Sequence, residues 1–229
     1  MSIVATDTAA GGTLGMMRLV LRFNLHPEAG LHPSWLPADW SGAARSRLAG
    51  LGPQAQPVLR DVLVRLGVLA GEPDYAFDSP LKRLLLLDPP ALRRLAFYTS
   101  LCAHAPLMRP RRGAVSAALR RQARRIDADA AEFALERTPP LSELRMSAHG
   151  LEDRPAGCGR LLVDRGYRLL AAVLAGEGAG VERRLARMLP RRAAALPVPA
   201  LAAQQRDQLR ELMLACIVPE RLAPWDWLF

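Results

Sequence analysis

Lysine is almost missing from this chain. Lys82 is the only one among 229 residues, and arginine supplies the other thirty of 31 basic side chains. Arg, Ala, Leu, Pro and Gly in such abundance are what a GC-rich genome writes, so part of the net charge of +9 reads as coding bias. Aromatics are scarce too, at 5%, while hydrophobic residues reach 50%. The core must therefore be aliphatic, which favours helices over a β-sandwich built on Val, Ile, Thr, Tyr and Phe. Only three cysteines occur, Cys102, Cys158 and Cys216, with no CxxC pair. That disfavours a zinc site and a disulfide framework. Thiols on apolar helix stripes behave as small hydrophobes and fit a reducing cytosol.

Catalytic and nucleotide motifs are equally sparse. The histidines are His26, His32, His104 and His149, with no HxxxH or HExxH spacing. No GxSxG, Walker loop or GxGxxG is present, and Gly157, Cys158 and Gly159 lack the Lys and Ser/Thr that a phosphate loop needs. A His104–Cys158 dyad is disfavoured because nothing local would activate the thiol. The longest apolar candidate, Leu169 to Ala175, falls far short of the roughly 20 residues of a membrane-spanning helix. No basic residue precedes Arg18, so the start does not read as a secretory signal. A cytoplasmic protein is expected.

What is present is helical periodicity. The spacing predicts an all-α, irregular bundle of about eight helices, in one domain over residues 17–229 with a lobe boundary at 138–158. Residues 1–16 read as a disordered extension, with the natural start expected at Met16 or Met17. Arg18 to Phe23 is expected as a short extended segment. The prolines at 27, 33 and 37 then make a rigid folded-back loop, pinned by Trp35, Leu36 and Trp40. Helices are expected over 41–51 and 56–70, the second burying Val58, Leu59, Val62, Leu63 and Leu66.

The central element is the stretch from Phe77 to Pro106. Ser79–Pro80 and Asp88–Pro89 are two helix-start signals, and Leu92, Leu95, Ala96, Thr99, Cys102 and Ala103 share one stripe. A long helix over 114–137 should follow, with Arg125 and Asp129 as an ion pair on its flank. Further helices are expected over 160–175, 181–189 and 202–218, the last stopped by Pro219. The tail APWDWLF either packs back on the body, the favoured reading, or serves as a docking peptide.

Seven arginines and no acid lie in 109–125: Arg109, Arg111, Arg112, Arg120, Arg121, Arg124 and Arg125. Like charges repel, so such a surface favours an acidic partner. A solvated face ranks first, an acidic protein partner second, nucleic acid third. Single-stranded nucleic acid would call for interleaved aromatics, and duplex reading for a tighter turn than LMRPRRG.

Two stretches carry a family resemblance. LRFNLHPEAGLHPSWLP resembles the opening of the SctK family, the YscK/PscK-type accessory proteins of type III secretion, at Arg22, Phe23, Pro27, Leu31, His32, Leu36 and Pro37. DSPLKRLLLLDPPALRRL is similar to that family's second block at Ser79, Pro80, Leu81, Leu84, Leu85 and Leu92. The resemblance covers residues 18–106; the arginine-rich 109–125 departs from it. It implies a non-enzymatic, all-helical sorting-platform adaptor without cofactor, metal or small-molecule substrate. Such a protein bridges the FHA-like cytoplasmic domain of the ring protein SctD to the pod protein SctQ. Through SctQ it is linked to SctL and the ATPase SctN, at the cytoplasmic face of the inner membrane. Candidate interface residues are then Arg22, Phe23, His32, Trp35 and the arginines of 109–125. The competing class is a basic nucleic-acid-binding or regulatory helical module.

Overall fold

The computed structural model describes residues 12–36, 55–65, 67, 73–110, 112–144, 146–147, 151 and 157–229. Every regular element among them is helical, with no strand. The chain forms two compact units. The first takes Met1–Pro89, Gly176–Ala195 and Leu228; the second takes Pro90–Ala175, Leu196–Trp227 and Phe229. The division thus falls at 89/90, 175/176 and 195/196, and the 138–158 segment lies inside the second unit.

The first unit opens with α1, Thr13–Leu25. This corrects two expectations: Arg18–Phe23 is helical, and residues 12–16 belong to the ordered part. Read alone, RLVLRF alternates like a strand. With Met16 included, Met16, Val20 and Phe23 fall at i, i+4 and i+7 on one helical face, where Val20 is buried. Pro27 then stops the helix, and the folded-back loop consists of two 3-10 turns, Pro27–Gly30 and Pro33–Trp35. The helix expected at 41–51, Pro37 and Trp40 lie outside the described residues, as does the stretch 1–11. Helix α2, Ala55–Arg65, ends earlier than its periodicity suggested, and Val58 is 57% exposed while Leu63 is fully buried. Helix α3, Pro80–Arg83, runs into a 3-10 turn at Leu84–Leu86, where all three leucines are buried. Ser79 starts α3 without a side-chain cap; its hydroxyl donates to Glu177 Oε1 at 3.2 Å. Helices α9, Ala179–Met188, and α10, Arg191–Ala194, complete this unit from far along the chain.

The second unit is built on α4, Pro89–Ala103, where every residue from Leu95 to Ala103 is buried. Leu92, Leu95, Phe97, Tyr98 and Leu101 each contribute about 1.5–3 kcal/mol of apolar burial. Helix α8, Cys158–Leu174, packs backbone to backbone on α4 at Gly166, where an added Cβ would lie 1.7 Å from the Ala96 carbonyl oxygen. Between them come α5, Ala105–Met108, α6, Ala114–Ile126, and α7, Ala130–Glu136. Gly113, at φ +125°, turns the chain into α6 through a conformation that L side chains rarely adopt.

The helix expected over 114–137 is thus broken at Asp127, which is extended at φ −144°, ψ 146°. Asp127 pairs with Arg94, and Tyr98 donates its hydroxyl proton to the same carboxylate. The anticipated Arg125–Asp129 pair does not exist; Asp129 accepts two bonds from Arg221, at 3.0 and 2.8 Å.

Arg221 reaches Asp129 because Pro219 does not end the last long helix. Helix α11, Ala203–Glu211, widens into a π segment, Leu212–Ile217, and continues as α12, Val218–Arg221. Pro219 has no N–H, and its ring crowds the carbonyl four residues back. The wider turn relieves both, and the Val218 N–H bonds five residues back, to Met213 O. The tail forms a 3-10 stretch, Ala223–Leu228, with Trp225 and Leu228 buried, as expected. No described helix is long and apolar enough to cross a membrane.

Candidate functional site

Two groups of candidate residues emerge, one in each unit. In the first unit the folded-back loop is tied down tightly. Phe23 meets Phe77 edge-on at 5.3 Å, and the guanidinium of Arg184 lies over its ring at 4.6 Å while donating to the Phe23 carbonyl. Burial lowers the pKa of Arg184 to about 10, partly offset by Glu28. Asn24 and Asp74 exchange backbone–side-chain bonds at 2.8 and 2.7 Å, and Lys82 Nζ pairs with Asp74 at 2.7 Å. Trp35 donates its indole N–H to Leu189 O at 2.9 Å, under the guanidinium of Arg187 at 4.2 Å. The His32 ring accepts from the Ser34 N–H at 3.1 Å, closing the 3-10 turn, and the backbone N–H of His32 donates to Arg187 O at 3.0 Å. Phe23, His32 and Trp35 are thus half-buried anchors, and Arg22 alone of the four is exposed.

In the second unit Arg109, Arg112, Arg121, Arg124 and Arg125 are exposed. Arg111 lies outside the described residues. Arg120, expected to project outward, is a correction: it folds back and gives two bonds to the Met108 carbonyl, at 3.1 and 2.6 Å. Those bonds, with one from Ser116 at 3.1 Å, satisfy the last carbonyl of α5. The outward arginines of α6 are therefore Arg121, Arg124 and Arg125. Among the described residues no carboxylate pairs with them, so their field faces outward.

Two polar clusters, the first part-buried and the second buried, escaped the sequence reading. The first joins Arg94, Tyr98, Asp127, Asp129 and Arg221, with Arg221 stacked 4.3 Å from the Phe133 ring. Burial and the neighbouring Asp127 hold the Tyr98 phenol well above its usual range, while Arg221 lowers the Asp129 carboxyl. Asp127-Ala-Asp129 was the available signal, since closely spaced Asp residues favour a helix end and a new start. The second cluster surrounds His104, which is fully buried. Its Nδ1–H donates to Ser100 O at 2.6 Å, and Nε2 accepts from Arg165 at 2.6 Å. Burial lowers its pKa to about 4. Both ring nitrogens are occupied, and burial raises the Cys158 thiol to about 11, so the two are not poised as a nucleophilic pair. His149 lies outside the described residues.

Among the described residues no cluster of three or more His, Cys, Asp or Glu could hold a metal ion. No family model, curated protein or solved structure matches the chain.

Proposed function

We propose that the chain is a non-catalytic adaptor of the SctK type, linking an SctD-like ring protein to an SctQ-like pod protein at the base of a type III secretion apparatus. The observation that supports this is where the two resembling blocks lie. Phe23 of the first packs on Phe77, which leads into the Ser79–Pro80 start of the second, and the Asn24–Asp74 bonds join the same strands of chain. Two motifs separated by some forty residues thus act as one structural body. The pinned loop presents a rigid surface whose ordering entropy is spent before a partner arrives. Arg121, Arg124 and Arg125 would add an electrostatic contact to an acidic partner.

The test is co-purification of tagged protein with the SctQ-like and SctD-like proteins of its own host. Recovery of either, lost on deletion of residues 12–36, supports the adaptor. Recovery of neither, together with retardation of DNA or RNA that weakens steeply with salt, favours the nucleic-acid module instead.

A further inference from the structure

The second unit carries a groove that the adaptor reading does not use. It encloses about 630 Å³ between the end of α4, α5, the end of α7 and the chain that follows. Cys102, Ala103 and Ala105 make its floor, and these small residues leave depth for a bulky apolar side chain. Leu107, Leu135, Pro139 and Leu141 line its walls, each half-buried and so partly open to water. Among the described residues Arg109 is the one charged side chain of the lining; it is exposed, and no described carboxylate pairs with it. The adjacent Met108 carbonyl is already satisfied by Arg120 and Ser116, so it does not compete for the Arg109 guanidinium.

We propose that this groove docks a short segment of an acidic partner protein, with one or two bulky apolar side chains entering over Cys102 and Ala103 and a flanking carboxylate paired to Arg109. Charge complementarity selects the occupant. A wall that joins apolar side chains to the Thr138 and Ser142 hydroxyls, with one guanidinium among its described residues, disfavours basic segments and gives a phosphate one charged contact. The walls stay too open to enclose a small molecule by the 70–90% that such ligands need, whereas a peptide requires burial of its anchors alone. The fixed Pro139–Pro140 wall lowers the ordering cost of docking.

The proposal stands independently of the secretion-apparatus reading, and its test needs no secretion protein. The full chain is immobilised and panned with a random 12-residue peptide display library, and the enriched peptides are synthesised and titrated. Enriched peptides should carry Leu, Ile, Phe or Met beside Asp or Glu. Leu141→Asp and Arg109→Glu should each weaken them at least fivefold, Arg109→Lys less than threefold, and the off-groove pair Arg124→Glu/Arg125→Glu less than twofold. Arg109 is exposed, so its variants keep the fold should Leu141→Asp disturb it. Three results overturn the proposal: no enrichment, enriched peptides indifferent to both groove variants, or loss of binding confined to the Arg124/Arg125 variant.

Discussion

At single positions the consequences are sharp. Gly166 has no room for a side chain, because a Cβ would also lie 2.4 Å from the Ala96 carbonyl carbon. Backbone cannot step aside as a flexible side chain can, so Gly166→Ala should destabilise by more than about 4 kcal/mol. Urea unfolding followed by circular dichroism measures this. His104 makes stability depend on pH. Its folded pKa of about 4 lies below the usual 6.5, so between these values the unfolded chain takes a proton that the folded chain refuses. The contribution is complete above pH 6.5, falls as pH drops, and is fully lost below 4, amounting to about 3 kcal/mol. His104→Gln can still donate to Ser100 O and accept from Arg165, but it does not titrate. The difference between wild-type and His104→Gln stability, measured from pH 7.5 to 4, should follow this curve; a flat difference would show that His104 titrates normally.

At the scale of elements, the loop of 3-10 turns after α1 depends on one indole. Trp35→Phe removes only the bond to Leu189 and should cost about 1 kcal/mol. Trp35→Ala also removes the stacking under Arg187 and should cost about 2–3 kcal/mol. Chemical denaturation of both variants separates the two contributions. The elements also show what could be read in advance. The central helix, α8 and α9 follow directly from apolar spacing, because each buries a stripe wide enough to dominate local preference. Arg18–Phe23 is ambiguous because six residues are too few to separate the two periods, and only Met16 upstream extends the face of Val20 and Phe23. The break at Asp127, signalled only by the two spaced aspartates, and the passage through Pro219 are harder to read for a different reason. Each depends on a partner distant in sequence, Arg94 and Tyr98 for Asp127, and Asp129 for Arg221. The outward arginines were visible in the sequence, but Arg120 was not separable from them, because its acceptor is a backbone carbonyl twelve residues earlier.

For the whole molecule, a net charge of +9, with arginines on α6 that no described carboxylate pairs, predicts association that weakens with salt. Reversing Arg121, Arg124 and Arg125 to Glu should reduce co-purification of an acidic partner at 50 mM salt and remove most of its salt sensitivity. Unchanged recovery would return these residues to the role of a solvated face. Contiguity matters as well. The first unit needs Arg184, Leu189 and Glu177, all contributed by residues 176–195. Residues 1–175 expressed alone should therefore collect in the insoluble fraction, and co-expression of 176–229 should return them to solution.

The bond from Trp35 to Leu189 spans 154 residues of chain. On a ribosome adding about 5–20 residues per second, the indole emerges roughly 8–30 s before its acceptor is made. Throughout that interval the nascent front end offers unsated aliphatic faces to its surroundings, so maturation in the cell should depend on holding chaperones, and slowing translation should lengthen that dependence.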